Sequence, residues 1–170
     1  MGLKDWYDRW VQNISDWKPK IPSLVDLQNF VEDSNFNING FTNKIKWNAT
    51  YEDALKDAKE NDRPVMMIVH APECRSCKSF RDWFSRSSGI ITTSQYFSMV
   101  AVRVDSLPRN AEITKDGNYV PQVIFLTPGG NLIPQGERQL AERGQKHFFP
   151  GTTPLLASMR SVLNLMPPKN

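Results

Sequence analysis

The chain has 170 residues, of which 39% are hydrophobic and 23% are charged, and its formal net charge is +3 at pH 7. This length and composition indicate one packed domain, or one domain with an appendage. The charged residues form no basic block, which argues against nucleic acid as the main partner. No apolar stretch approaches the ~20 residues of a transmembrane helix, so we expect no stable membrane insertion.

The first 43 residues differ in pattern from the rest and predict a helical extension followed by a linker. Four apolar side chains recur there at helical spacing: Trp6, Trp10, Ile14 and Trp17. A second short helix is predicted over residues 24–32, and Asn and Asp crowd residues 33–43. The aromatic stripe admits three roles: docking on the main domain, lying on a membrane surface, or forming a homodimer. Acidic residues in the same stretch weaken the membrane role.

Residues 44–166 predict an α/β domain. A short strand is expected at Ile45 and Trp47, followed by strands over residues 65–70, 97–104 and 122–127 and a hairpin return over residues 132–134. Helices are expected over residues 51–60, 77–86, 90–95 and 154–165. Strands that alternate with helices, and then end in a hairpin and a helix, predict a central mixed sheet with helices on both faces.

Cys74 and Cys77 are the only cysteines of the chain, and they stand between the predicted strand 65–70 and the following helix. A C-x-x-C in this context indicates a thioredoxin-like redox pair. A helix N-terminus favours a thiolate on Cys74, and Cys77 lies about one turn further along the same face. Cys74 is therefore the candidate attacking thiolate and Cys77 the candidate resolving thiol.

The cysteine pair also admits a zinc-binding role or a purely structural one. Half of a zinc site would need two further ligands, and the only histidines are His70 and His147. An inert, structural pair would need no further ligand. In the redox interpretation neither a metal nor an organic cofactor is needed, because the electrons travel through the dithiol itself.

Residues 40–165 contain five short motifs: Gly40-Phe41, Ile45-Lys46-Trp47, Arg63-Pro64-Val65-Met66, Cys74-x-x-Cys77-Lys78 and Asp116-Gly117-Asn118-Tyr119-Val120-Pro121. Together with the order of elements, they resemble the thioredoxin superfamily. The resemblance is to its endoplasmic-reticulum branch, which contains thioredoxin domain-containing protein 12 and the anterior-gradient proteins. It covers about three quarters of the chain.

The resemblance implies a three-layer thioredoxin-like fold and thiol–disulfide oxidoreductase activity on protein substrates. It implies that Val120-Pro121 is the superfamily's cis-proline pair, whose backbone binds an extended substrate segment. It also implies location in the endoplasmic reticulum lumen or secretion, although this chain shows neither a signal peptide nor a KDEL-type tail. The competing function is a redox-weak chaperone-like or binding module of the anterior-gradient type.

Two positions depart from the pattern of active superfamily members. Glu73 stands where Trp is usual before the first Cys, and Ile68 stands where many members carry a buried carboxylate. The charge of Glu73 opposes a thiolate on its neighbour, whereas Arg75 favours one. The candidate residues that tune the redox pair are Glu73, Arg75, Ser76, His70 and Lys78.

Overall fold

The structure is a computed structural model that describes residues 40–107, 113, 115–138 and 144–166. Both helices predicted within the first 39 residues lie outside the described residues. Within the described part of the chain, no helix is both long enough and apolar enough to cross a membrane.

One four-stranded sheet organises the domain, with strands in the order β1-β3-β2-β4. The strands are β1 (Trp47–Asn48), β2 (Val65–His70), β3 (Ser98–Arg103) and β4 (Gln122–Leu126). β1 and β2 both pair with β3 in parallel, whereas β4 pairs with β2 in the antiparallel direction. The described α-helices are α1 (Tyr51–Asn61), α2 (Arg75–Arg86), α3 (Ser88–Ser94) and α4 (Thr152–Leu165). This confirms the predicted mixed sheet with flanking helices.

Helices cover both faces of the sheet, and the central strand β2 shows this directly. All six of its residues are buried, as expected for a strand without a solvent face. Because successive side chains point to opposite faces, Met66 and Ile68 enter the core shared with α2, α3 and α4. Val65, Met67 and Val69 enter the second core, shared with α1. The C-terminal end of β2 leads directly to the start of α2.

Three helices, α2, α3 and α4, begin two residues earlier than predicted. In α2 and α3 a polar side chain caps the first turn, whereas α4 follows Gly151 without a side-chain cap. α2 begins at Arg75, since the sulfur of Cys74 accepts a hydrogen bond from the first turn. α3 begins at Ser88, since the hydroxyl of Ser87 accepts one from the backbone of that turn. β3 is one residue shorter than predicted at each end, and β4 is one residue shorter at its C-terminal end.

The predicted return strand over residues 132–134 is reduced to a single antiparallel bridge between Leu126 and Leu132. The strand stops there because Pro134 begins a short 3-10 turn. The outer edge of β4 still finds partners. The amide of Ile133 donates to the carbonyl of Phe125, and the amide of Val123 donates to the carbonyl of His147, both at 2.9 Å. A non-strand segment therefore lies along this edge of the sheet.

Gly136 ends the 3-10 turn against the ring of Phe125, where a side chain has no room. A Cβ at this position would lie 2.4 Å from Cδ2 of that ring, which is 1% exposed and cannot swing into solvent. We expect Gly136→Ala to lower the free energy of unfolding by about 1–3 kcal/mol, the usual cost of overpacking a core. Urea denaturation measures this change.

Gly129→Ala is the matched control for Gly136→Ala. A Cβ at Gly129 would lie 3.6 Å from its nearest neighbour, an ordinary contact distance. Its effect on the free energy of unfolding is expected within about 0.5 kcal/mol. Equal effects of the two substitutions would contradict the packing argument.

Candidate active site

Cys74 occupies the N-cap of α2, at the point where the loop after β2 turns into the helix. Its amide donates to the carbonyl of Ala71 at 3.3 Å, which closes the loop. Its Sγ accepts the amide hydrogen of Cys77 at 3.1 Å, so the sulfur takes the place of the usual capping oxygen. Cys74 is half-buried and free. The arrangement aligns this sulfur with backbone N–H groups that favour negative charge.

Cys77 is fully buried behind Cys74, within the first turn of α2. Burial and a hydrogen bond with Cys74 raise the pKa of the Cys77 thiol, whereas the backbone at Ala71 and the charge of Arg81 lower it. The burial effect is the largest of these, so Cys77 is held as a neutral thiol near pH 7. The two sulfurs therefore differ in access: one is half-buried at the surface, and the other is enclosed.

Val120 and Pro121 face the cysteine pair from the loop before β4. The peptide bond between them is cis. The carbonyl oxygen of Val120 accepts a hydrogen bond from the thiol of Cys74, with 3.8 Å between sulfur and oxygen. This loop and the start of α2, distant in sequence, thus meet at one sulfur atom.

Side chains that the sequence did not single out hold this loop in place. Gln122 donates from Nε2 to the carbonyl of Gly117 at 3.0 Å and to that of Tyr119 at 2.7 Å. The hydroxyl of Tyr119 donates to the carboxylate of Asp116 and accepts the amide hydrogen of His147 at 3.0 Å. The Asp116-to-Pro121 motif could have identified Tyr119, but its long-range partner is fixed only by the fold.

His70 ends β2 with its side chain 1% exposed, beside the ring of Phe41 in an edge-to-face contact. Neither ring nitrogen has a hydrogen-bond partner within the described part of the chain. Burial, and after it the charges of Arg81 and Arg103, lower the pKa of His70 to about 4. The imidazole is therefore neutral at pH 7. The other candidate tuning residues, Glu73, Arg75, Ser76 and Lys78, are exposed around the start of α2.

Arg81 is the charged residue at this site that sequence reasoning missed. It lies four residues after Cys77 on α2, so the two side chains share one face of the helix. Gly40, at φ +83°, leaves room for it: a Cβ there would lie 3.1 Å from Cδ and Nε of Arg81. Its positive charge acts on both His70 and Cys77. The i, i+4 spacing from Cys77 was the signal available in the sequence.

Removing the charge of Arg81 is expected to slow the reaction of Cys77 with alkylating reagents. Because the cation favours the thiolate, Arg81→Gln should raise the pKa of Cys77 further and lower its thiolate fraction about two- to fivefold between pH 7 and 9. The measurement is the rate of iodoacetamide alkylation against pH, in a Cys74→Ser background that leaves one thiol.

Arg86→Gln is the control for Arg81→Gln. Arg86 is on the same helix, but its side chain is 79% exposed and 2.8 Å from the carboxylate of Asp82. Its removal should leave the alkylation rate of Cys77 unchanged. If both variants slow alkylation equally, the effect comes from net charge and not from the position of Arg81.

The zinc interpretation requires at least two further ligands beside the cysteines. Among the residues that the structure describes, no three side chains of His, Cys, Asp or Glu come together as a metal site would need. His147, one of the two histidines considered, lies instead in the segment that pairs with the edge of β4.

Comparison with known proteins finds relatives that are similar in sequence to this chain. A family model described as thioredoxin-like matches residues 46–128. Anterior gradient protein 3 of Xenopus tropicalis is 32% identical over 90 residues, which make up 52% of this chain and 54% of that protein. The human anterior gradient protein 2 homolog is 23% identical over 155 residues, which make up 91% of this chain and 81% of that protein. The chain spans about half the length of the first of these relatives.

One solved structure with a similar chain path is a thioredoxin from Thermus thermophilus. It is 25% identical, with a TM-score of 0.41, over 52% of this chain and 68% of that one. The sheet order and the family match over residues 46–128 agree with each other. Residues 46–128 are therefore thioredoxin-like in sequence and fold, and the chain is similar in sequence to the anterior gradient proteins.

Proposed function

We propose that the chain is a thiol–disulfide oxidoreductase that acts on protein disulfides through Cys74 and Cys77. The observation that carries the proposal is the 3.1 Å contact between Cys74 Sγ and the amide of the buried Cys77. A half-buried sulfur that a substrate can reach, with a buried thiol one turn behind it, is the arrangement that disulfide exchange requires. The match of residues 46–128 to a thioredoxin-like family model supports the same chemistry.

The proposed reaction proceeds in two exchanges. The Cys74 thiolate attacks one sulfur of a substrate disulfide, which forms a mixed disulfide and releases the other substrate sulfur as a thiolate. Cys77 then attacks Cys74 while its proton passes to the second substrate sulfur, which leaves as a thiol. Two electrons pass to the substrate, and the chain keeps a Cys74–Cys77 disulfide. An external thiol of the glutathione type must reduce this disulfide before another turnover.

We propose the backbone of Val120 and Pro121 as the contact for an extended substrate segment. The carbonyl oxygen of Val120 lies 3.8 Å from Cys74 Sγ, so a segment that pairs with this loop brings its own cysteine to the attacking sulfur. Backbone pairing tolerates many sequences, as a general protein oxidoreductase requires.

Equilibration against glutathione buffers tests the proposed activity. The two thiols are expected to form one intramolecular disulfide, with a midpoint between about −270 mV, as in thioredoxin, and about −120 mV, as in DsbA. An intermediate value is expected because Arg75 stabilises a thiolate at Cys74 and Glu73 offsets part of that effect. Alkylation of the remaining thiols followed by mass measurement gives the oxidised fraction. Failure of the two cysteines to form this disulfide in any of the buffers would contradict the proposal.

A chaperone-like or binding module is the second candidate, and Ile68 favours it. This residue is fully buried among apolar neighbours, so the position that holds an acid in many active relatives offers no proton acceptor to Cys77. Suppression of protein aggregation by a variant that lacks both cysteines distinguishes the candidates. Full suppression without any insulin reduction by the wild type would favour the binding module.

We also propose that the chain works in an oxidising compartment, the endoplasmic reticulum lumen or the cell exterior, because disulfides persist there. A homodimer through residues 1–43 is a further hypothesis, and most of that segment lies outside the described residues. Light scattering on the full chain tests it. A mass of two chains that falls to one in a Trp6→Ala/Trp10→Ala variant supports the dimer, and a single-chain mass in the wild type removes it.

A further inference from the structure

A groove of about 520 Å³ runs along the exposed face of α2 and begins at Arg75, the residue that follows Cys74. Its charged lining residues are Arg75, Lys78, Arg81, Asp82 and Arg86. Their spacing of three and four residues places them in adjacent rows on one side of the helix. The first of them directly follows Cys74 in sequence, so the groove leads away from the sulfur proposed to attack substrates.

The groove carries an excess of positive charge. The one carboxylate among its lining residues, Asp82, lies 2.8 Å from Arg86, so the charges of these two side chains neutralise each other. Arg75, Lys78 and Arg81 make no ion pair with another described residue. Three cations of the groove are thus left without a carboxylate partner among its lining residues.

The length of the groove suits a short stretch of polypeptide. α2 has 12 residues, which at 1.5 Å each span about 18 Å. An extended chain advances about 3.3 Å per residue, so about five residues of a substrate lie along this face. A protein segment is the occupant that fits, because the adjoining thiol is proposed to exchange with protein disulfides.

We propose that this groove binds acidic residues that flank the reacting cysteine of a protein substrate. The inference rests on the proposed function and names its substrate class: disulfides in acidic segments. An exposed ion pair contributes about two- to threefold in affinity, so three pairs give about a tenfold preference for an acidic flank over a neutral one. Since the groove is open to solvent, added salt should weaken this preference.

The test uses three disulfide-linked peptides that differ only in three residues beside the cysteine: Glu, Gln or Lys. For the full-length wild-type chain, kcat/KM for reduction is expected to be about tenfold higher for the Glu peptide than for the Gln peptide, and lowest for the Lys peptide. In Lys78→Gln/Arg81→Gln the Glu-to-Gln ratio should fall to about two- to threefold, the share of the remaining Arg75. The ratio is the readout, because any change in cysteine reactivity alters all three rates together.

Lys59→Gln/Arg160→Gln is the control, since it removes the same charge from exposed positions on α1 and α4. It should keep the wild-type ratio, and 0.5 M NaCl should lower that ratio in the wild type. Equal rates for the three peptides overturn the inference and leave the proposed function standing. Loss of the ratio in the control variant also overturns it, because net charge would then suffice. If no peptide is reduced, the proposed function fails and the inference fails with it.

Discussion

Cys77→Ser is expected to turn the chain from a catalyst into a trap that stays bound to its substrate through a disulfide. Cys74 keeps its position at the N-cap of α2, so the first exchange still occurs. The second exchange is lost because no thiol lies behind it. In a well-oriented intramolecular reaction, the attacking group has an effective concentration that reaches ~10⁵ M or more, far above that of any free thiol. Without Cys77, turnover should therefore fall by more than about 100-fold. Non-reducing electrophoresis after incubation with a disulfide-bonded substrate shows the trapped complex.

Cys74→Ser provides the matched control for the trap. This variant keeps the buried thiol of Cys77 but lacks the sulfur that a substrate can reach, so no mixed disulfide should accumulate. Circular dichroism should show that both variants keep the wild-type fold. If Cys74→Ser traps substrate and Cys77→Ser does not, the roles proposed for the two sulfurs are reversed.

Phe84→Ala is expected to lower the free energy of unfolding by about 3–5 kcal/mol, the range for a large aromatic removed from a core. The side chain is fully buried. Its ring centroid lies 5.2 Å from that of Phe80, 5.5 Å from that of Phe41 and 6.3 Å from that of Trp47. These rings join α2 to β1 and to the residues before it. Urea denaturation monitored by tryptophan fluorescence measures the loss.

Leu165→Ala is the control for Phe84→Ala. Leu165 is at the end of α4 and is 52% exposed, so its removal should change the free energy of unfolding by less than about 0.5 kcal/mol. A loss below about 1 kcal/mol for Phe84→Ala would mean that the surrounding rings close the cavity.

The sequence could predict the order of elements because the signals involved are local. The uniformly apolar β2 and the helix after Thr50 follow from periodicity and capping, and both agree with the structure. The C-x-x-C pair was identified in the same way, from its place between a strand and a helix. Helix starts were predicted less well. The start of α2 depends on the sulfur of Cys74 acting as a cap, which the usual N-cap preferences do not include.

The features that the sequence could not predict depend on residues far apart in the chain. The neutral state of His70 follows from burial beside Phe41, 29 positions earlier. The contact between Cys74 and Val120 spans 46 positions. The importance of Arg81 depends on its distance from a buried thiol and on the space that Gly40 leaves beside it. Such effects combine solvation and charge across elements, and no local pattern encodes them.

The two outer edges of the sheet bear on whether the domain assembles into larger aggregates. An unpaired strand edge is a template on which further chains can add by main-chain hydrogen bonds. On one side, two backbone groups of β4 are already hydrogen-bonded. The amide of Val123 donates to the carbonyl of His147, and the carbonyl of Phe125 accepts from the amide of Ile133. On the other side, β1 has only two residues, Trp47 and Asn48, too few to propagate a ladder. A sheet whose two edges are closed in this way offers little template on which a further chain could add, so we expect the domain to resist edge-to-edge aggregation.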